Sequence, residues 1–116
     1  MNYVTLLKSK LHRAKVTDTN LNYEGSIAID KDLIEAANLL VFEKVQVLDL
    51  NNGERFETYV IEGERGTRQI SINGAAARLV HPGDQVIILA FIHLPEPESY
   101  SWQPKIISLD DNNNPQ

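Results

Sequence analysis

The segment YEGSIAID, residues 23–30, contains a glycine-serine pair that runs directly into an apolar stretch. Its apolar residues favour a short strand, and Asp30 can cap a helix that follows. Most Gly-Ser pairs are simple turns, and that remains the ordinary interpretation of this one. The pair also has the groups for an intramolecular acyl shift. Gly25 has no Cβ, so it leaves its carbonyl unshielded and tolerates a strained backbone angle.

The predicted chemistry begins when the Ser26 hydroxyl attacks the Gly25 carbonyl and converts the amide into an ester. Elimination across the serine Cα–Cβ bond would then leave a dehydroalanine, which hydrolyses to a ketone. The products would be a short chain, residues 1–25, and a long chain, residues 26–116, that begins with a pyruvoyl group made from Ser26. Such a carbonyl can form a Schiff base with a substrate amine and act as an electron sink.

Length and charge limit the alternatives. A chain of 116 residues with 42% hydrophobic residues predicts one domain with a modest core. Little room remains for a deep pocket, so we expect a site between subunits. The net charge of −5 disfavours sequence-independent nucleic-acid binding, which needs clustered Lys and Arg.

Cysteine is absent, which excludes a disulfide or a thiolate site. The three histidines, His12, His81 and His93, fall on separate predicted elements, and we expect no metal site. No apolar run approaches the ~18 residues of a membrane span or resembles a signal peptide, so we expect a cytoplasmic protein without a membrane partner.

The pattern of short strands predicts a mainly β protein, a small β-barrel with one or two short helices. We expect the domain to span residues 1–109 and residues 110–116 to be a disordered tail. The helix should begin after Asp30, carry Leu33, Ala36, Ala37 and Leu40 on one face, and end near Asn38. Asn51-Asn52-Gly53 predicts a hairpin turn. The predicted strands are residues 3–16, 27–29, 44–50, 55–62, 69–72, 85–92 and 102–109.

Two strands carry side chains with chemical potential. Alternation places Lys8, Lys10, His12 and Ala14 on one face of the first strand, which is most simply a solvated basic face.

Residues 55–62 place Arg55 and Tyr59 on one face, about 13 Å apart. A guanidinium suits a carboxylate, and a tyrosine phenol is protonated at neutral pH and can donate a proton. An ordinary edge strand gives the same pattern.

The segment NGAAA, residues 73–77, has only small residues after its first position. Small side chains allow backbone N–H groups to approach an anionic ligand. A helix start packed closely on the barrel explains the segment equally well, so both interpretations remain open.

From about Leu7 to about Pro104 the sequence resembles the family of pyruvoyl-dependent aspartate alpha-decarboxylases. Several separate motifs in the same order and spacing carry the resemblance, which makes it far more specific than any one of them. They are Lys10-Leu11-His12-Arg13, Tyr23-Glu24-Gly25-Ser26, Ala28-Ile29-Asp30, Asn52-Gly53, Arg55-Phe56, Thr58-Tyr59, Glu64-Arg65-Gly66, Ile70-Ser71, Asn73-Gly74-Ala75-Ala76-Ala77 and Gly83-Asp84.

The resemblance implies a double-psi β-barrel, assembled as a homotetramer with the site between subunits, that converts L-aspartate to β-alanine and CO2 for pantothenate synthesis. It implies that Ser26 becomes the covalent pyruvoyl cofactor after cleavage at Gly25, and that Tyr59 is the proton donor. Lys10 and Arg55 would hold substrate carboxylates, and Thr58 would serve both processing and substrate binding. Asn73, Gly74, Ala75 and Ala76 would form a substrate-binding segment.

The sequence departs from the pattern of the family at three positions, Asn22, Ile27 and Leu48. None of these departures removes a chemical group that the mechanism needs. Alternation, however, places Thr58 on the face opposite Arg55 and Tyr59; a bulge, strong twist or use toward another subunit would resolve this. The alternatives are a non-enzymatic double-psi barrel that binds or assembles, or a pyruvoyl decarboxylase of another amino acid. Some members need a maturation helper protein, which the sequence does not decide.

Overall fold

The computed structural model describes residues 1–116. It contains eight strands, two short α-helices and one 3-10 helix. The strands are β1 (Tyr3–Lys15), β2 (Asp18–Asn20), β3 (Ser26–Asp30), β4 (Lys44–Asp49), β5 (Arg55–Gly63), β6 (Ile70–Asn73), β7 (Gln85–Pro95) and β8 (Lys105–Ser108); the helices are α1 (Lys31–Ala36), α2 (Glu96–Ser99) and the 3-10 helix (Gly74–Arg78). None of these helices is long and apolar enough to cross a membrane.

The strands form one hydrogen-bonded system in the order β2-β6-β3-β5-β4-β7-β1-β8. Most neighbours are antiparallel, but β3 pairs with β5, β1 with β8 and β2 with β6 in parallel. The mainly β prediction is confirmed, and the mixed pairing is consistent with a double-psi barrel. Its consequence for function is that β3, which begins at Ser26, lies between β5 and β6.

A cluster of 19 buried residues forms the core. Ile27 and Ile29 on β3 are fully buried, as are Val60 on β5 and Ile72 on β6. Burial of side chains of this size contributes about 1.5–3 kcal/mol each. The strand that presents Ser26 is therefore anchored along its length.

The helix after Asp30 is shorter than predicted. The Asp30 side chain accepts a hydrogen bond from Asp32 N at 2.8 Å, as expected for an N-cap, but the helix ends at Ala36. Asn38 has φ +58°, a left-handed conformation that suits Asn after a helix end. The prediction that Leu40 lies on the buried face of the helix is wrong, because Leu40 lies beyond the end of the helix and is 64% exposed.

Two irregularities in β1 alter the predicted basic face. The β1–β7 register shifts between Leu7 and Ser9 and again between Leu11 and Ala14, and Arg13 has φ +64°. An extra residue in a strand reverses the side-chain alternation beyond it. As a result Leu11 and Ala14 are both fully buried, so the placement of Ala14 with Lys10 on one exposed face is wrong.

Residues 110–116 are not a disordered tail, which corrects the expectation from their polar composition. Asn113 is only 2% exposed. Its side chain accepts a hydrogen bond from Lys15 N at 2.7 Å and donates to Lys15 O and Arg68 O at 2.9 and 3.0 Å. Leu109 also pairs with Pro115. One amide side chain thus ties the C-terminal segment to β1 and to the loop before β6.

We expect Asn113→Ala to lower the free energy of unfolding by about 2–4 kcal/mol, because three hydrogen bonds of about 1 kcal/mol each are lost and their backbone partners are left unpaired. Chemical denaturation at fixed protein concentration measures the change. Asn112→Ala, an exposed neighbour, is the control. Equal stability of the two variants would show that the segment does not support the fold.

Candidate active site

Ser26 is the first residue of β3 and lies opposite Asn73 of β6. It is 1% exposed. Its Oγ donates a hydrogen bond to the Glu24 carbonyl oxygen at 3.0 Å and accepts one from Asn73 Nδ2 at 3.1 Å. The hydroxyl is thus held in one orientation beside the Gly25–Ser26 peptide bond, as a nucleophile for that bond must be.

The sequence analysis expected residue 25 to be the position that needs glycine, but the structure places this need at residue 74. Gly25 does not have a positive φ, and a Cβ built on it would meet nothing within 4 Å. Gly74 instead has φ +78°, and its backbone lies directly against Gly25. The position that requires glycine is therefore on the neighbouring segment rather than at the proposed cleavage point.

Tyr59 lies on β5, the strand that pairs with β3. The parallel pairing of Ile27 with Val60 places the residue before each of them, Ser26 and Tyr59, at the same level. The Tyr59 ring contacts Phe42, with ring centroids 6.3 Å apart. Arg55 lies four residues earlier on β5 and is exposed, so its Cα is about 13 Å farther along the strand.

Thr58 does not share the face of Arg55 and Tyr59. The β4–β5 register runs without a shift and pairs Thr58 with the buried Val45, and Arg55 with Leu48. The bulge suggested as one way to bring Thr58 round is therefore absent. Thr58 is half-buried on the side of the strand that also carries Phe56 and Val60.

Lys10 lies on a strand that pairs with neither β3 nor β5. It lies on β1, opposite Leu89 of β7 and Ile106 of β8. Strands β4 and β7 separate β1 from β5. In the order of the sheet, β1 is therefore three strands away from β5 and four from β3.

The segment after β6 lies close to Ser26. Asn73 ends β6, Gly74 opens the 3-10 helix, and both are buried. Ala75 is exposed and Ala76 half-buried. Asn73 also lines a groove of about 260 Å³ with Asp18, Tyr23, Glu62, Glu64 and Ser71. No lysine or arginine is among the residues that line this groove.

Two features of the site were not predicted. The first is the Asn73–Ser26 hydrogen bond, which joins residues 47 positions apart and depends on the pairing of β3 with β6. The second is His12, whose Nδ1 is buried without a hydrogen-bond partner. Burial, followed by the charges of Lys10 and Arg13, lowers the pKa of His12 and favours a neutral imidazole beside Lys10. Of these two features, only the lowered pKa of His12 could have been suspected from the sequence, because Lys10 and Arg13 lie close to it along the chain.

Known proteins resemble this chain over nearly its whole length. The family model described as aspartate decarboxylase matches residues 2–116. The aspartate 1-decarboxylase of Caldicellulosiruptor saccharolyticus is 61% identical over 110 residues, which are 95% of this chain and 86% of the relative. The aspartate 1-decarboxylase of Acetivibrio thermocellus is 57% identical over 111 residues, which are 96% of this chain and 88% of the relative.

A third relative, the aspartate 1-decarboxylase of Thermoanaerobacter pseudethanolicus, is 57% identical over 110 residues, which cover 95% of this chain and 94% of that protein. Matches of this extent span both sides of the Gly25–Ser26 bond and every strand of the barrel. The chain belongs to the aspartate decarboxylase family.

Proposed function

We propose that this protein is a pyruvoyl-dependent decarboxylase that converts L-aspartate to β-alanine and CO2, the product serving pantothenate biosynthesis. The observation that carries the proposal is the Ser26 hydroxyl, fixed between the Glu24 carbonyl and the Asn73 amide beside the Gly25 peptide. The relatives named aspartate 1-decarboxylase support the choice of substrate.

The residues around Ser26 fit a pyruvoyl group at this position. Cleavage before Ser26 would place the new chain end at the start of β3, which β5 and β6 hold on both sides. The Asn73 amide already donates to an oxygen on residue 26, and it could donate to a carbonyl oxygen there. Once formed, the group would supply a carbonyl for the substrate amine and a sink for the electrons released with CO2.

After cleavage, strand pairing should hold the short chain, residues 1–25, in the barrel. Strand β1 pairs with β7 over ten residue pairs and also with β8, and β2 pairs with β6. Gly25 itself is exposed. The new carboxyl end can therefore move away from residue 26 while the rest of residues 1–25 remains part of the barrel.

Charge argues for a site shared between subunits. The groove that Asn73 lines also contains the carboxylates of Asp18, Glu62 and Glu64, which repel the carboxylates of aspartate. Lys10 and Arg55 are the proposed source of positive charge; Lys10 lies on β1, which does not pair with β3, and Arg55 lies at the start of β5, four residues before Tyr59. In the proposed assembly a neighbouring copy brings a cation to the site, and Arg55 with Lys10 holds the substrate carboxylates.

Exposed apolar side chains support an assembly of several copies, for which we propose a homotetramer. Phe42 is 75% exposed and adjoins the exposed Leu40 and Val41. Tyr3, Phe91, Tyr100 and Ile106 are each at least 45% exposed. Exposed apolar side chains that adjoin one another, as Leu40, Val41 and Phe42 do in sequence, are typical of subunit interfaces. Thr58, Asn73, Gly74, Ala75 and Ala76 would complete substrate binding there, and Thr58 would also assist processing.

Tyr59 is the proposed proton donor to the substrate carbon after CO2 leaves. Its position level with Ser26 on the adjacent strand supports this role. We expect Tyr59→Phe to be cut normally and to lose about 10²–10⁴-fold in kcat, the usual contribution of a positioned acid. β-Alanine formation and intact mass are measured together. Tyr100→Phe, 80% exposed, is the control; a wild-type rate for Tyr59→Phe would assign the proton to another group.

The test of the proposed function is intact-protein mass followed by substrate assays. A processed sample contains fragments 1–25 and 26–116, the second lighter by one ammonia than simple hydrolysis would leave it. Turnover of aspartate but not glutamate supports the proposal, although one methylene contributes only about 1–3 kcal/mol to selectivity. Cleavage with turnover of a different amino acid supports a pyruvoyl enzyme of other specificity. An uncut chain, with or without a lysate that supplies a maturation helper, supports a non-enzymatic barrel.

A further inference from the structure

At the proposed cleavage point, the backbone of Gly74 leaves no room for a side chain next to Gly25. A Cβ built on Gly74 would lie 2.7 Å from Gly25 Cα, 2.9 Å from Gly25 N and 3.3 Å from Tyr23 O. Ordinary contacts of a Cβ begin at 3.4 Å. A methyl group at residue 74 would therefore have to move Gly25 by about 0.7 Å, the difference between 3.4 and 2.7 Å, because the atoms it meets are backbone rather than the end of a flexible side chain.

The two sides of the cleavage point differ in how firmly they are held. Ser26 is buried in β3 and hydrogen-bonded through its side chain. Gly25 is exposed, ends a turn, and has open space where a Cβ would be. Gly74, buried behind it, is the contact that limits where Gly25 can lie. A displacement from that side would move the Gly25 carbonyl relative to the Ser26 hydroxyl, since Ser26 would stay in the strand.

We propose that Gly74 is a positioning residue for self-cleavage, because its lack of a Cβ allows the Gly25 carbonyl carbon to remain within reach of Ser26 Oγ. The proposal rests on the proposed function. In the step it governs, a bond forms between Ser26 Oγ and the Gly25 carbonyl carbon, the Gly25–Ser26 C–N bond breaks, and the hydroxyl proton passes to the Ser26 nitrogen. This role is separate from any contact of residue 74 with substrate.

A matched control separates the contact from backbone strain. Gly74 has φ +78° and Gly53 has φ +77°, so alanine is equally strained at both positions. A Cβ at Gly53, however, meets nothing within 4 Å. Gly53 lies in the β4–β5 hairpin turn, away from the site. Gly53→Ala therefore reproduces the strain of Gly74→Ala without displacing Gly25.

The experiment follows cleavage of freshly purified wild type, Gly74→Ala and Gly53→Ala by intact mass over time. We expect Gly53→Ala to be cut at the wild-type rate and Gly74→Ala to be cut on the order of 10²-fold more slowly, as for a misplacement of reacting atoms by about 1 Å. Gly74→Asn is the second variant, because Asn adopts positive φ more readily but carries the same Cβ. It should be equally slow.

Hydroxylamine identifies the step, because it cleaves an ester and releases residues 1–25 as a hydroxamate. The proposal expects little hydroxamate from Gly74→Ala, since the ester does not form. Rapid release of hydroxamate from this variant would mean that Gly74 acts after the acyl shift and would overturn the proposal. Cleavage of both Gly74 variants at the wild-type rate would overturn it as well.

Folding is checked by circular dichroism. The proposal confines the displacement to the exposed turn before Ser26, so at least one Gly74 variant should fold like Gly53→Ala. Failure of both to fold would contradict it and assign Gly74 a general structural role. If the wild type itself is never cut, the proposed function fails; if the wild type is cut and Gly74→Ala is cut equally fast, only the present inference fails.

Discussion

Ser26→Ala is expected to remain a single chain of 116 residues and to produce no β-alanine. Alanine has no hydroxyl to attack the Gly25 carbonyl, so neither the ester nor the pyruvoyl group can form. The loss should be complete in both assays, because without that group no side chain of the protein supplies an electron sink for decarboxylation.

The variant should nevertheless fold. Replacing Ser26 removes hydrogen bonds to Glu24 O and from Asn73 Nδ2, which costs about 0.5–1.5 kcal/mol for each. Ile27 and Ile29 keep β3 in the core. Loss of activity can therefore be assigned to chemistry and not to unfolding.

Ser9→Ala is the matched control for this experiment. Ser9 is also 1% exposed and lies on a strand, but its Oγ has no hydrogen-bond partner and it is remote from β3. It should be cut and active like the wild type. An uncut Ser26→Ala protein that still forms β-alanine would contradict the proposed cofactor, and a cut one would contradict the proposed nucleophile.

Local patterns in the sequence predicted seven of the eight strands because those strands alternate or are continuously apolar, whereas β2 is polar throughout and was not predicted. They failed where one residue changes the geometry of its neighbours. The bulge at Arg13, with its positive φ, reversed the side-chain direction beyond it and buried Ala14. The polar composition of residues 110–116 suggested disorder, because it contains no sign that Asn113 would satisfy backbone groups of Lys15 and Arg68.

The candidate site was predictable as a set of residue types but not as a geometry. The Gly25–Ser26 pair identifies the bond, whereas the Asn73 amide and the Gly74 backbone reach it only because β6 pairs with β3. The same applies to Lys10, because strands β7, β4 and β5 stand between its strand and β3 in the order of the sheet. Long-range pairing, which leaves no local pattern, decided these points.

Asp30, the last residue of β3, anchors that end of the strand through its side chain. Asp30→Ala is expected to lower the free energy of unfolding by about 3–5 kcal/mol. The Asp30 carboxylate is fully buried. It accepts backbone hydrogen bonds from Asp32 at 2.8 Å, Gly66 at 3.1 Å and Arg68 at 2.6 Å, with the Arg68 guanidinium 3.5 Å away. Removing the carboxylate leaves three backbone N–H groups without their acceptor and takes the nearest carboxylate away from the Arg68 guanidinium.

The effect should depend on pH in a definite direction. Burial alone raises the pKa of Asp30, but the hydrogen bonds from Arg68, Asp32 and Gly66 and the charge of Arg68 outweigh it and hold the pKa below its ordinary value. A carboxyl with a lowered folded-state pKa stabilises the fold at pH values above its unfolded pKa of about 3.9. That stabilisation is lost as the pH falls through the lower folded-state value.

Denaturation of Asp30→Ala and of its parent is best measured in the Ser26→Ala background, where the chain stays in one piece, at fixed protein concentration because assembly contributes to stability. The difference between the two should be largest from pH 5 to 7 and shrink below about pH 4, since the parent then protonates its own carboxyl. Asp111→Ala, on an exposed residue, controls for the loss of one negative charge. A difference that stays constant down to pH 2 would show that the ionised carboxylate is not what holds the loop of residues 64–69 against β3.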